Sequence, residues 1–312
     1  MSEDEHPARK VVVVGARSAR QGTGPFIARA FDQLGADVCA VVGTSSLTNE
    51  QALDSLRSEQ GIHCRAYTDL EEAIAAEQPD AVAICSPYPF HAEQLALVAA
   101  SGCHCLVEKP LVWPCDEADL EKLVSEFSQR DLLLQMVTQW PGTLGAFTEL
   151  HGAPAEPVTD FAMRLSPISI GPDMVPDSAP HFISLLQALV GPGECLQVTI
   201  QRPRDDALIV ACDYVHDTGT TRAQLLLETC EQRPRPAWYQ INQQRVDRVV
   251  ELPQYIQQLV AEDRTVTLSD PLEGVVKHFM DSLAAGKATH SKQLLQGHRN
   301  LLQLAAAWPE NR

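Results

Sequence analysis

Residues 10–24 read KVVVVGARSARQGTG, an apolar run that opens into a loop with glycine at positions 15, 22 and 24. A continuous β-branched run of this kind predicts a strand buried in a parallel sheet. The loop would place the N-terminal N–H groups of the following helix where they can bind a pyrophosphate. It is about four residues longer than the usual G-x-G-x-x-G pattern. A simple glycine-rich turn is the alternative interpretation.

Strands and helices alternate through the first 137 residues. Short apolar runs predict strands at 10–14, 37–42, 81–85, 103–107 and 132–137. Helices are predicted at 25–34, 49–60, 90–100 and 117–129, with a further helix start at 68–72. This alternation implies right-handed crossovers and a parallel sheet. We therefore expect a polar tail at residues 1–9, followed by a dinucleotide-binding domain at residues 10–137.

The pattern changes after residue 137, where strands follow one another. They are predicted at 159–165, 196–201, 208–215, 221–228, 245–252 and 265–268. Only residues 180–190 look helical among them, and helices return at 271–285 and 292–307. The succession predicts a second α+β domain at residues 138–312, with a mostly antiparallel open sheet. The expected fold class is α/β, with a parallel-sheet domain first.

Composition and charge exclude several classes of protein. The net charge of −17 argues against nucleic acid and anionic membrane surfaces as partners, because both attract basic proteins. The polar residues 1–10 do not resemble a secretory signal. The nine scattered cysteines suit free thiols in the cytoplasm, and no ligand pairs stand at metal-site spacing. We expect a cytoplasmic protein without a bound metal.

A lysine follows one of the predicted strands in the run Cys105-Leu106-Val107-Glu108-Lys109-Pro110. Ligands of open α/β sheets lie outside the carboxyl ends of the strands. A lysine at that edge would stand over a cofactor, where its ammonium can bind a substrate oxygen. The alternative is a surface lysine before a proline.

Three segments together resemble the Gfo/Idh/MocA oxidoreductases. They are Glu108-Lys109-Pro110 after a strand, the run ICSPYPFH at residues 84–91, and an Asp-x-x-x-His pattern from Asp177 to His181. The resemblance covers nearly the whole chain. It implies a Rossmann domain joined to an open-sheet domain that often serves oligomerisation. It also implies reversible hydride transfer between NAD(P) and a carbon bearing a hydroxyl or an amine, frequently on a sugar or cyclitol.

The resemblance assigns catalytic roles to three residues. Lys109 would bind the reacting oxygen and stabilise its developing charge. His181 would act as the general base, and Asp177 would orient the imidazole or the substrate. Pro180 suits a first helical turn, so we expect a helix to begin there, with its dipole favouring a neutral His181. The alternatives are an N-cap for Asp177 and a core position for His181.

The expected cofactor site lies along the carboxyl ends of the strands. Its candidate residues are Gly15, Arg17, Ser18, Arg20, Gly22, Thr23, Gly24, Thr44, Ser45, Ser46, Ser86, Pro87, Tyr88, His91, Glu108 and Lys109. Hydroxyls at 44–46 replace the acid that usually follows the second strand in NAD-preferring proteins. We therefore predict NADP, with NAD as the alternative. His91 is equally suited to a structural role at a helix start.

The sequence thus predicts an NAD(P)-dependent oxidoreductase that acts on a small hydroxylated, sugar-like, imine or carbonyl metabolite. Candidates for the substrate pocket are Gln139, Trp140, Arg164 and Trp238, each of which also suits the core or the surface. Two alternatives remain open: a redox-inactive nucleotide- or metabolite-binding protein, and a lyase or hydrolase with a tightly held NAD. An apolar sheet face in the second domain predicts a homodimer or a higher homo-oligomer.

Overall fold

The computed structural model describes residues 8–17, 22–252, 255–287 and 289–309. The chain divides into two compact units. The first contains the chain up to Val137 together with Leu272–Ser291, and the second contains Thr138–Pro271 and the chain from Lys292 onward.

The first unit contains a six-stranded parallel sheet with helices between its strands. The strands are β1 (Lys10–Val14), β2 (Asp37–Val42), β3 (Arg65–Tyr67), β4 (Ala81–Ile84), β5 (His104–Val107) and β6 (Leu134–Met136). The helices are α1 (Gly24–Gln33), α2 (Ser46–Gln60), α3 (Leu70–Glu77), α4 (His91–Ala100) and α5 (Glu117–Gln129). The strand order is β3-β2-β1-β4-β5-β6. The predicted parallel sheet is therefore confirmed.

The strand β1 is the centre of this sheet. Residues Val11–Val14 are buried, and β1 pairs in parallel with β2 on one side and β4 on the other. The chain order reverses at β1, because β2 and β3 extend the sheet in one direction while β4, β5 and β6 extend it in the other. Such a reversal leaves a crevice at the carboxyl ends of the strands, where ligands bind in sheets of this type.

The second unit contains an eight-stranded, mostly antiparallel sheet. Its strands are β7 (Asp160–Leu165), β8 (Gly193–Arg204), β9 (Ala207–His216), β10 (Gly219–Glu228), β11 (Ala237–Ile241), β12 (Gln244–Glu251), β13 (Ile256–Ala261) and β14 (Arg264–Thr267). Their order is β14-β13-β12-β11-β7-β10-β9-β8, and β7 and β10 run parallel. The helices of this unit are α6 (Leu144–His151), α7 (Met174–Val190) and α9 (Ser291–Ala306). The helix α8 (Pro271–Ala284) follows β14 in the chain but belongs almost entirely to the first unit.

One face of the second sheet is covered and the other is open. Along β7, the residues Phe161, Met163 and Leu165 are buried and alternate with half-buried ones, which is the pattern of a sheet packed on one side. The ring of Phe161 packs 5.5 Å from that of Phe182 on α7. The predicted open sheet is therefore present, with α7 on its covered face.

The structure corrects two predicted helix positions. The helix expected to begin at Pro180 begins at Met174, and Pro180 lies inside it. Met174 and Val175 are buried, so tertiary packing extends the helix through a residue that normally ends one. The segment Leu272–Ser291, expected in the second domain, packs with the first unit instead. The sequence analysis also did not predict α6, β3, β11 and β13, which are short elements.

The apolar face of α8 explains why this segment joins the first unit. Val276 and Phe279 are fully buried in a core cluster with residues of β1, α1 and β2. The ring of Phe279 meets Phe31 of α1 edge-on, with 6.0 Å between the ring centroids.

Two further observations concern the described residues only. None of their helices combines the length and the apolar character needed to cross a bilayer. No group of three or more histidine, cysteine, aspartate or glutamate side chains among them is arranged to hold a metal ion.

We predict that Phe279→Ala lowers the free energy of unfolding by about 3–5 kcal/mol, since it leaves a cavity in the first unit's core. Chemical denaturation followed by circular dichroism measures this loss. Lys277→Ala is the matched control on the same helix. Lys277 makes a surface pair with Asp281, and the loss of such a pair costs about 0–1 kcal/mol of unfolding free energy. Equal losses for the two variants would show that α8 does not complete this core.

Candidate active site

A cavity of 990 Å³ lies at the carboxyl edge of the parallel sheet, within the first unit. Its walls come from the residues that follow five strands: Gly15 after β1, Gly43 after β2, Thr68 after β3, Ser86 after β4, and Glu108 with Lys109 after β5. Its volume is that of a cofactor site. The crevice expected at the reversal of strand order is therefore present.

Two glycines allow the backbone to pack closely at the floor of this cavity. Gly15 has a φ of +82°, and a Cβ there would lie 2.8 Å from the carbonyl oxygen of Cys85. Its N–H donates to Val42 O at 2.9 Å, which joins the ends of β1 and β2. A Cβ on Gly24 would overlap the carbonyl oxygen of Gly15. Side chains at either position would displace the loop, so both glycines are required by geometry.

The helix α1 begins beside the cavity. Its N-cap residue Thr23 provides no side-chain cap, and Pro25 stands in the first turn, where a missing N–H costs nothing. Thr23, Gly22 and Arg17 line the cavity. The first-turn N–H groups and the positive end of the helix dipole suit an anionic group such as a pyrophosphate. The predicted residues Ser18 and Arg20 lie outside the described residues.

The end of β2 forms a second wall without a carboxylate. Thr44 lines the cavity, whereas the hydroxyl of Ser45 accepts from Thr48 N and caps α2. Asn49 donates through Nδ2 to Tyr67 O at 2.8 Å, and its buried Oδ1 has no partner among the described residues. A Cβ on Gly43 would overlap that Oδ1. Ser45 and the adjacent helical Ser46 were predicted to line the cofactor site, but they do not lie on the cavity wall.

The walls after β4 and β5 carry polar groups. Ser86 donates to Gln94 Oε1 at 2.6 Å. One oxygen of Glu108 accepts from Lys109 N at 3.0 Å, and the other is buried without a partner in the described part of the chain. Burial raises the pKa of the Cys85 thiol, and the Glu108 carboxylate raises it further, so this thiol stays protonated.

His91 supports the cavity from behind. Its ring is fully buried, with Nδ1 2.9 Å from Pro110 O and Nε2 2.8 Å from Ser86 O. The ring therefore links the loop after β4 to the loop after β5. Because its nitrogens are turned to these carbonyl oxygens, His91 has the structural role named as the alternative and does not line the cavity.

Most of the predicted cofactor residues that the structure describes do line this cavity. They are Gly15, Arg17, Gly22, Thr23, Thr44, Ser86, Pro87, Tyr88, Glu108 and Lys109. Residues at the starts of α2 and α3 also line the cavity and were not predicted from the sequence. They are Thr48, Asn49, Thr68, Asp69, Leu70 and Glu71. Each follows a parallel strand that ends at this edge, and the short strand β3 was not predicted.

In the second unit, α7 presents Asp177 and His181 one turn apart on the same face. Every other residue of α7 from Met174 to Gln187 is buried, and these two are half-buried. The Asp177 carboxylate accepts from Ser169 Oγ at 2.9 Å. Because the helix begins at Met174, His181 lies beyond the first turn, where the dipole effect fades. The expected dipole effect on His181 is therefore not supported.

The remaining pocket candidates divide between the two faces of the second sheet. Trp140 is buried and meets Tyr239 edge-on at 6.1 Å. Arg164 pairs with Glu228 at 2.7 Å and lies opposite Trp238 in the strand register. By strand alternation, Arg164 and Trp238 stand on the face opposite α7, so they do not flank Asp177 and His181.

Residues 9–138 match the model of a family described as an oxidoreductase family with an NAD-binding Rossmann fold. Over these residues the chain is similar to the Gfo/Idh/MocA oxidoreductases. The predicted resemblance to this family is confirmed over the matched residues, which include Glu108-Lys109-Pro110, whereas the pattern from Asp177 to His181 lies outside them.

Two curated relatives are named dehydrogenases. The 4-carboxy-2-hydroxymuconate-6-semialdehyde dehydrogenase of a Sphingobium species is 36% identical over 109 residues, 34% of this chain and 34% of that protein. The UDP-N-acetylglucosamine 3-dehydrogenase of Acidithiobacillus ferrooxidans is 24% identical over 163 residues, 49% of this chain and 48% of that protein. The matched region thus spans less than half the length of either relative.

Solved structures share the fold over nearly the whole chain. The UDP-N-acetylglucosamine 3-dehydrogenase of Acidithiobacillus ferrooxidans has a TM-score of 0.70 at 19% identity, covering 97% of this chain and 98% of that one. A scyllo-inositol dehydrogenase from Lactobacillus casei, solved with NAD(H) and scyllo-inositol, has a TM-score of 0.71 at 17% identity, covering 96% of this chain and 97% of that one. The predicted two-sheet fold class is confirmed.

Proposed function

We propose that this protein is an NAD(P)-dependent dehydrogenase or reductase that acts on a small hydroxylated, sugar-like metabolite or its carbonyl or imine counterpart. One observation carries the proposal: Lys109 lines the same 990 Å³ cavity as the glycine loop. The dehydrogenase relatives favour turnover over the redox-inactive alternative.

The first unit fits a dinucleotide. Gly15 and Gly24 keep the loop free of side chains, and the α1 start offers N–H groups to the pyrophosphate. The buried Oδ1 of Asn49 and Oε1 of Glu108, both at the cavity wall, are acceptors that the described residues leave unsatisfied. When bound, the nicotinamide supplies the hydride chemistry, which the protein positions.

The remaining chemistry is assigned to three side chains. Lys109 binds the reacting oxygen through its ammonium and stabilises the negative charge that develops there. His181 takes the hydroxyl proton during oxidation and returns it during reduction. Asp177, held by Ser169, orients the site. The half-buried Asp177 and His181 on an otherwise buried helix support these roles, because polar groups at such positions usually serve a function.

We predict that Lys109→Met lowers kcat/KM by about 10²- to 10⁴-fold, a much larger loss than any weakening of NADPH binding, because the ammonium acts mainly on the substrate. His181→Gln should cause a comparable loss of kcat/KM. The double variant should have a kcat/KM only slightly below that of the less active single variant, because both residues serve one step. Steady-state kinetics with scyllo-inositol and UDP-N-acetylglucosamine as first probes, and a fluorescence titration of NADPH, measure these effects.

The control for this prediction is Lys122→Met. Lys122 is exposed on α5 and pairs with Asp119, so its loss should leave turnover unchanged. Unchanged turnover in both Lys109→Met and His181→Gln would refute the assigned chemistry. Failure of the unmodified protein to bind any nicotinamide nucleotide would refute the proposed function itself.

We also propose NADP as the preferred cofactor. Thr44 and Arg17 line the cavity, and neither repels a 2′-phosphate, whereas an acid at the end of β2 would. Thr44→Asp should weaken NADPH binding by about tenfold or more and strengthen NADH binding relative to it. The two titrations measure this change, with Thr44→Ser as the control. Tighter binding of NADH by the unmodified protein would contradict the preference.

The open face of the second sheet supports the proposal of a homodimer or higher homo-oligomer. Val215, Val249 and Ile256 on three of its strands are each about two-fifths exposed. Sedimentation velocity should give at least twice the monomer mass of 34.2 kDa, and Val249→Glu should lower it. A monomer at micromolar concentration would contradict this expectation.

We propose a cytoplasmic location on chemical grounds. All nine cysteines are free thiols, which suits a reducing compartment. Fractionation of the source cells tests this assignment, and recovery of the protein outside the cytoplasm would contradict it.

A further inference from the structure

An arginine that forms no salt bridge with a carboxylate of the described residues lies in the second unit. Arg248 on β12 is two residues from each of the buried Val246 and Val250, so its side chain shares their face, which is the covered face of the sheet. Its guanidinium carbon lies 5.3 Å from the centre of the Trp140 ring. Its Nε is buried and has no hydrogen-bond partner within the described ranges. Its one hydrogen bond there is long, 3.4 Å from Nη2 to Arg235 O.

The charges around Arg248 make this arrangement unfavourable in the protein alone. Arg164 pairs with Glu228 and Arg245 with Asp247, but no carboxylate lies within ion-pair distance of Arg248 in the described part of the chain. The neighbouring guanidinium of Arg235 adds a second positive charge. Burial lowers the pKa of Arg248; Tyr255 opposes this shift, and the charge of Arg235 adds to it. A half-buried cation whose Nε is buried without a hydrogen-bond partner is costly unless an anion joins it.

The position of Arg248 connects it to the face of α7 that carries Asp177. Ser166, just after β7, donates to Pro236 O at 2.9 Å, next to Arg235. Ser169 in the same loop donates to the Asp177 carboxylate. The 3₁₀ turn at Trp140–Thr143, whose ring Arg248 contacts, packs against α7. The neighbour of Arg235 is therefore linked to the loop that holds Asp177, and Arg248 contacts the turn that packs against α7.

We propose that Arg248 and Arg235 form an oxyanion subsite that binds a carboxylate or phosphate group of the substrate. This inference rests on the proposed function, since it names the class of substrate that the dehydrogenase would accept. The planar guanidinium of Arg248 binds the oxygens in a bidentate manner, and Arg235 adds charge. The Trp140 ring holds the guanidinium in place from one side. The preferred substrate is thus an anionic sugar or sugar-like acid.

Isothermal titration calorimetry with matched ligand pairs tests this subsite. The pairs are D-glucuronate with D-glucose, and N-acetylglucosamine 1-phosphate with N-acetylglucosamine, at constant ionic strength and saturating NADPH. At least one anionic member should bind about tenfold or more tightly than its neutral partner. Arg248→Met should reduce this ratio to below about threefold while leaving NADPH affinity unchanged.

The chain offers a matched control in Arg245→Met. Arg245 lies on the same strand, stacks on Trp238 at 4.3 Å, and occupies the opposite face. The Arg245→Met variant should keep the full affinity ratio between the anionic and the neutral ligand. Arg248→Met removes an unpaired buried charge, so it should fold with an unchanged or higher Tm. Should it fail to fold, Arg248→Lys, which keeps the charge without the planar fork, should still lower the ratio.

Three results would overturn the subsite. In the first, neither anionic ligand binds more tightly than its neutral partner. In the second, Arg245→Met and Arg248→Met change the affinity ratio equally, and in the third, inorganic phosphate alone binds as tightly as the sugar phosphate. The last result would indicate a site for a free anion. Binding by calorimetry does not require turnover, so loss of the subsite and loss of the dehydrogenase function remain distinguishable. The latter would appear as the absence of nicotinamide nucleotide binding.

Discussion

The first unit depends on the close approach of Gly15 to the carbonyl of Cys85. That approach brings the end of β1 against the end of β4, while the N–H of Gly15 holds the end of β2. Three neighbouring strands therefore finish at one level. The helix α1 then begins beside the crevice, and Ser86, Glu108 and Lys109 face it. The cavity exists because no side chain stands at its floor.

The second unit keeps a few polar side chains on surfaces that are otherwise buried by packing. On α7 only Asp177 and His181 interrupt the buried run from Met174 to Gln187. On the covered face of the sheet, Arg248 interrupts the buried run of β12 in the same way. Polar groups that interrupt apolar packing weaken the unit, and for this reason we propose ligand-binding roles for them.

The sequence was sufficient where local pattern and tertiary structure agree. The β-branched run at Val11–Val14 and the lysine after β5 predicted the parallel sheet and its functional edge. Local signals mislead where tertiary contacts override them. Pro180 predicts a helix start, but buried Met174 and Val175 extend α7 before it. The lone guanidinium of Arg248 could not be predicted, because strand pairing decides which residues surround it.

The return of Leu272–Ser291 to the first unit has a consequence for biosynthesis. During translation the six parallel strands emerge from the ribosome early. Val276 and Phe279 belong to the core of this sheet, but they emerge only after the whole second sheet has been made. At ordinary elongation rates this delay is on the order of ten seconds. During that interval the apolar surface awaiting α8 is exposed in the nascent chain, where a chaperone can recognise it.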